Sequence, residues 1–459
     1  MTGDPTIGPD AIGSGDDTSA PSQRSTSGLL RVLGASFGVA VIIGNTIGVG
    51  ILRTPGEIAA RLPSVPLFLG VWVAGGLYAL LGAVSLSEPG AMIPRSGGQY
   101  VIVQRALGRF PGFVVGWSDW LSTCGSIAAV SIVMGEYLGP LVPQLAGREA
   151  VTAGTVVMLF ALLQWRGIRV GDAAQQLTSL LKTMALLGLV AAILLLPHPV
   201  QPVVAATTMP AGALLLTAAI VALQAAIYTY DGWTGAIYFG EEIRNPGRDI
   251  PRATIGGVLL VLFIYLSINI AFLRVVPIER MAGDPFVAGT AAVAVFGPRG
   301  DTIIRILMIV SMLAAVNALL LMASRVPIAM SRDGLLPGVS RVNRGGTPAP
   351  ALFLSVGVAL LFIATNTFDT VLSLLAFFFV ASYALSFTSI FVLRRTEPDT
   401  PRPYRVIGYP WTTGLALAGS IAFLIASFFG DRANTVRALL LLAASLPVFL
   451  LLRRFSRTA

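Results

Sequence analysis

Titratable chemistry is scarce in this chain. Its 459 residues include one cysteine, Cys124, and one histidine, His198. A single thiol inside an apolar stretch excludes a disulfide framework and a thiolate metal centre. The histidine lies between prolines in a loop, which excludes histidine-based catalysis inside the apolar segments. Charge is short as well. Only 12% of residues are charged, about half the share of an ordinary soluble domain, against 55% hydrophobic. That balance predicts an all-α polytopic membrane protein without a metal or other cofactor. An enzyme would need a convergent acid–base or metal set, and the apolar segments offer no histidine and few acids.

What is present is hydropathy. Residues 1–27 are rich in Gly, Ser, Thr, Asp and Pro, and read as a disordered tail without the apolar core of a signal peptide. From Leu29 onward, about 12 segments are apolar enough to span a bilayer. Their cores are 33–60, 65–92, 111–142, 150–166, 172–196, 211–240, 253–275, 302–331, 350–365, 369–393, 411–429 and 434–452. With that count, roughly 21 arginines fall on one side and roughly 8 on the other, so the rich side and both termini are expected in the cytoplasm. The net charge of +9 then reflects loops facing anionic membrane lipid rather than nucleic acid.

The stretch Val41–Leu52 is unusual for a plain anchor. Gly44, Gly48 and Gly50 fall within seven positions, with Asn45 and Thr46 between them. Glycine weakens a helix interior, and unwound backbone at membrane depth is tolerated only around a protein-enclosed or wet cavity. A break there would aim the N–H groups of a half-helix at the cavity, a natural seat for a carboxylate. A glycine-rich packing face is the competing reading. A second interruption, Tyr228 to Gly235, places Asp231 and Gly232 in the sixth span. Two interruptions at matching places, five spans apart, point to two five-helix halves of opposite orientation and a transporter. Asp231 has three readings: a helix N-cap, a partner for a substrate ammonium, or a proton acceptor.

Lys182 lies deep in the fifth span, too far from either end to snorkel. It is expected to donate to carbonyls freed by an unwound helix, as a bound sodium ion would attract them. Asp119, between Trp117 and Trp120, is expected at the membrane interface, and Arg53 in the outer vestibule. Val101 to Gly108 is expected as a short interfacial helix. The charges of 241–252 suggest a network between helix ends, and Pro277 to Gly300 is long enough for an external lid.

In this order the motifs resemble those of the amino acid–polyamine–organocation transporters, and within them the bacterial L-type (LAT-like) amino acid permeases. The resemblance rests on Ile47-Gly48-Val49-Gly50-Ile51, on Pro94 to Tyr100, and on Glu241-Glu242 to Ala253. It continues through Ser324-Arg325, Arg332 to Pro337, Thr347-Pro348, and Glu397 to Pro410. It implies a 12-helix LeuT-type fold: a 5+5 inverted-repeat core at 28–396, broken at helices 1 and 6, then two C-terminal helices within 397–459. It implies an amino acid held by the N–H groups of Val49, Gly50 and Ile51, with the Ile47 carbonyl and those around Tyr228 and Asp231 on the ammonium. Tyr228 resembles the family's aromatic gate, and Lys182 its sodium substitute. Gly44, Gly48 and Gly232 are the expected helix breakers.

The implied function is sodium-independent amino acid transport across the plasma membrane, by antiport or proton symport. A polyamine or amine carrier of the same fold and a non-transporting sensor are the alternatives. No external cysteine suggests a disulfide-linked heavy chain. Small or branched neutral substrates are expected, because Asp231 is the one pocket charge that the sequence locates.

Overall fold

The computed structural model describes residues 28–48, 50–196, 209–365, 368–430 and 432–455. The expected tail 1–27, His198 and Val49 lie outside them. Inside a bilayer every backbone polar group must be satisfied within the protein, and helices do this segment by segment. The described residues are accordingly helical apart from turns, with two isolated β-bridges, Leu33 to Ile243 and Ser96 to Phe239.

The first apolar segment forms α1 (Ala35–Thr46) and α2 (Gly50–Arg61), followed by α3 (Val65–Met92). A nine-residue helix, α4 (Gln99–Leu107), stands where the short interfacial helix was expected. Then come α5 (Arg109–Leu138), α6 (Glu149–Trp165), α7 (Ile168–Leu195), α8 (Ala213–Thr229) and α9 (Pro246–Val275). The connection 277–300 carries two short helices, α10 (Ile278–Met281) and α11 (Val287–Phe296), packed against α2. The rest is α12 (Gly300–Ala323), α13 (Arg325–Arg332), α14 (Ala349–Thr365), α15 (Phe368–Thr396), α16 (Trp411–Gly430) and α17 (Arg432–Phe455).

Among the described residues, eight helices are long and apolar enough to cross a membrane, or nine if α1 and α2 form one bent span. Three more apolar helices, α6, α8 and α14, are shorter. Each segment read from hydropathy thus meets a helix or a bent pair.

Helix α1 packs on α7, α9 and α12 around the first break, α7 packs on α9 and α12 as well, and α3 lies along α9. Their shared core is large and aromatic, with Phe68, Trp72, Tyr230, Tyr265 and Phe272 buried together. Trp72 and Tyr230 both contact the Tyr265 ring edge-on or tilted, at centroid distances of 5.7 and 4.8 Å. This packing fixes the helix ends that meet at the site.

Candidate functional site

The break in the first span lies between Thr46 and Gly50, and the helices on either side differ in direction by 49°. Gly48 belongs to this break, as expected. Gly44 does not: it is helical within α1, and a Cβ there would stand 2.1 Å from Gln175 Nε2. Its missing side chain admits α7 rather than interrupting the helix. Gln175 and Ser179 both donate to the Ala40 carbonyl, at 3.1 and 2.7 Å. One turn further along α7, Lys182 Nζ donates to Gly44 O at 3.0 Å and to Ile47 O at 2.5 Å. Lys182 is the only lysine in the sequence and is 1% exposed.

Ser311 of α12 also donates its hydroxyl to Ile47 O, at 3.2 Å. A carbonyl has two lone pairs. Those of Ile47 are engaged by Lys182 and Ser311, so its expected contact with a substrate ammonium is corrected to an internal one. Beyond the break, Gly50 and Ile51 open α2, where the first N–H groups have no intrahelical acceptor. Gly50 lines the cavity described below, while Ile51 is fully buried behind it.

The second interruption follows α8. No α-helix resumes among the described residues until Pro246; turns and a 3-10 segment, Gly235–Tyr238, take its place. Gly232 has φ +111°, and a Cβ on it would lie 2.9 Å from the Thr46 backbone nitrogen. Only glycine lets the two interruptions touch. Asp231 caps no α-helix. Its carboxylate accepts a hydrogen bond from the Tyr383 hydroxyl of α15. The Tyr265 hydroxyl from α9 reaches the carbonyls of Thr46 at 2.8 Å and Thr229 at 2.9 Å, and so ties the ends of α1 and α8 together. Thr229 also donates to Thr54 of α2 at 3.0 Å.

Between the interruptions lies a cavity of about 330 Å³. Gly48, Gly50, Tyr228, Asp231 and Gly232 line it, so most of the expected substrate residues share one space. Ile47 and Lys182 sit behind its wall. One face of α5 runs along it, from Asp119 through Thr123 and Ser126 to Val133. Asp119 therefore faces the cavity rather than standing exposed between the tryptophans. It is 3% exposed, and both carboxylate oxygens lie 2.7 Å from the Tyr238 hydroxyl. The signal available in the sequence was the polar stripe Asp119, Thr123, Ser126 at helical spacing on an otherwise apolar segment. Thr46 was also missed; its hydroxyl is buried on the cavity wall and has no partner among the described residues. Arg53 lines the opposite end together with Glu57.

The charged loops assemble at one end of the bundle. Arg325 and Glu242, both buried, form a two-pronged pair at 2.8 and 3.1 Å, and Arg332 meets Glu241 at 3.0 Å. Asp333 accepts from Arg95 at 3.0 Å and from the Tyr100 hydroxyl at 2.8 Å. Glu397 is held below the usual carboxylate range by the Arg105 guanidinium. Among the described residues, no group of His, Cys, Asp or Glu is placed to hold a metal ion.

Comparison with known proteins adds names to this geometry. A family model described as amino acid permease matches residues 34–450. The serine/threonine exchanger SteT of Bacillus subtilis (strain 168) is 28% identical over 433 residues, covering 92% of this chain and 97% of its own. The mouse large neutral amino acids transporter small subunit 2 is 29% identical over 417 residues, 85% of this chain and 76% of its own. The human b(0,+)-type amino acid transporter 1 is 26% identical over 401 residues, 85% of this chain and 82% of its own. These relatives are transporters, and the all-α architecture with a bent first span is that of a multi-pass membrane carrier. The match runs through both interruptions and every lining helix of the cavity: this chain belongs to the amino acid permease family.

Proposed function

We propose that this protein is a sodium-independent secondary transporter of amino acids that works by alternating access. The substrate sits between the bend of α1–α2 and the turn after α8. The observation that carries the reading is the cavity where two interrupted helices meet at Gly232 and Thr46. The free N–H groups at the start of α2 face a carboxylate, and Tyr228 closes over the side chain. Gly48 and Gly232 leave the backbone open at the two breaks.

Sodium independence rests on Lys182. Its ammonium occupies the acceptors, Gly44 O and Ile47 O, that an unwound span offers to a cation. Antiport is favoured over proton symport by the likeness to SteT, an exchanger. The arginine excess of the loops at the ion-paired end supports a plasma or inner-membrane protein of twelve crossings with both termini in the cytoplasm. The core spans 28–396 and the last two helices lie within 397–459. The single cysteine is buried in α5, which supports function without a disulfide-linked heavy chain.

The test is uptake into proteoliposomes. Labelled amino acid is expected to enter when the lumen holds unlabelled amino acid, equally in sodium and potassium buffers. Uptake that depends on sodium would remove the account of Lys182; uptake driven only by a pH gradient would replace exchange with proton symport. Lys182→Ala is expected to slow exchange roughly tenfold or more, the loss of two charge-assisted hydrogen bonds. Its melting temperature should stay close to that of the parent, because the substitution also removes a buried charge. Full activity in that variant would refute the role.

A further inference from the structure

The cavity is unevenly charged. At its outer end, Glu57 lies 3.4 Å from Arg61, and Arg53 stands on the same wall. There the one acid has arginines beside it. Toward the other end the wall carries two carboxylates, Asp119 and Asp231, with Gln99, Tyr238 and Tyr383 beside them. Among the described residues, neither acid is paired with a lysine, arginine or histidine, and Lys182, the only lysine, is committed to backbone carbonyls. Each acid has a tyrosine hydroxyl as its side-chain donor. A carboxylate offers about four acceptor sites and a hydroxyl one hydrogen, so both acids retain capacity. Buried carboxylates without a cation are costly in a membrane interior unless something supplies the charge. The Thr46 hydroxyl, 6% exposed on the cavity wall and without a partner among the described residues, is a further group that awaits a ligand.

A neutral amino acid brings one cation, its ammonium, to these two acids. We infer that the substrate brings a second, and that the cavity takes α-amino acids with a basic side chain, whose charged end faces Asp119. This builds on the transport reading above and replaces the neutral substrates expected from sequence, an expectation that counted Asp231 alone. With the carboxylate at the start of α2 and the ammonium near Asp231, the side chain extends along the α5 face of Ser126 and Thr123 toward Asp119. The space, about 330 Å³, lies at the lower end of ordinary small-ligand sites and admits a long side chain. Asp119 is then a specificity residue, and the Tyr238 hydroxyl orients its carboxylate.

The experiment compares length-matched ligands on the purified full chain. Thermal shift and proteoliposome competition are measured with L-lysine and L-ornithine against L-norleucine, and with sodium and potassium chloride alone. Lysine or ornithine is expected to act at about tenfold lower concentration than norleucine, since sites built for a polar group reject analogues that lack it. In Asp119→Asn that ratio should fall toward one. Should this variant fail to fold, the ratio in the unaltered protein still decides. Norleucine acting as well as lysine overturns the inference, as does a folded Asp119→Asn protein that keeps its preference for lysine. A shift with sodium alone that Asp119→Asn abolishes also overturns it, by assigning the acid to an inorganic ion. If neutral amino acids are carried and basic ones are not, only this inference fails. If no amino acid of either kind stabilises or enters, the transport reading fails and takes this one with it.

Discussion

The cavity and the ion-paired end of the bundle treat buried charge in opposite ways. At the ion-paired end, Arg325 and Glu242 are both buried, and Arg325 Nη1 also donates to Leu321 O and Ser324 Oγ beside the Phe239 ring. Glu88 likewise accepts from Arg394 and from the Val406 backbone. In the cavity, among the described residues, Asp119 and Asp231 have hydroxyl donors but no cation, and Thr46 has no partner. A closed network gives a helix bundle one geometry. An open one keeps bonding capacity for something that comes and goes. The difference separates the groups that hold this fold from the groups that use it.

Breaking the closed network should have the largest effect. Arg325→Ala leaves Glu242 buried without its partner, which costs about 3 to 5 kcal/mol when one member of a buried pair is removed. The expected result is a protein that loses its cooperative melting transition in detergent or fails to accumulate. Replacing both residues by apolar ones of similar size should restore much of that loss. A single variant with unchanged melting would place Arg325 among dispensable surface charges. Next in size is Gly232→Ala. The left-handed φ and the approach to Thr46 N together predict a loss of about 1 to 3 kcal/mol. Here exchange should fail along with stability, because the new methyl group separates the two interruptions. A variant with normal exchange would show that the helices do not need to touch there.

Sequence read well where one residue type at one place has few physical explanations. A lysine in mid-membrane has few ways to be satisfied, and Lys182 was placed against freed carbonyls from its depth alone. Glycines 48 and 232 were legible because helices rarely tolerate such clusters. The span 65–92 coincides with α3 because a long apolar run has one natural end at each interface. Asp119, Ser311 and Tyr265 were not legible as site residues. Each is one polar residue on a long helix, and which way it faces depends on how several helices rotate against one another. Asp119 was misled by its neighbours: tryptophans mark interfaces in many membrane proteins, but Trp120 here is buried and donates to Ser355. Gly44 shows the complementary error, since a glycine weakens a helix and also admits a neighbour, and composition alone does not separate the two.

A finer cut across the comparison is Tyr265→Phe. This removes the hydroxyl that bridges Thr46 O and Thr229 O and keeps the ring packing against Trp72 and Tyr230. The expected loss is about 1 kcal/mol of stability, the net worth of a hydrogen bond. Exchange should suffer more than melting does, because the bond joins the ends of two helices that frame the cavity. Equal loss in both measurements would place Tyr265 with the structural network instead.

The smallest effect belongs to the exposed rim of the ion-paired end. Arg105 meets Glu397 through two hydrogen bonds, at 2.7 and 3.0 Å, but both side chains are partly in solvent. Screening limits such a pair to less than about 1 kcal/mol, and Arg105→Ala should shift melting only slightly. Its signature is pH dependence. The Arg105 guanidinium holds the Glu397 carboxyl below its ordinary value of 4.5. A depressed carboxyl contributes stability above its unfolded pKa and loses it as pH falls through the folded one. The parent and Arg105→Ala melting curves should therefore differ near neutral pH and converge in acid, below the ordinary value. The same gap should narrow with added salt. A gap that persisted unchanged on acidification would mean that Arg105 acts through packing of its aliphatic stem rather than through its charge.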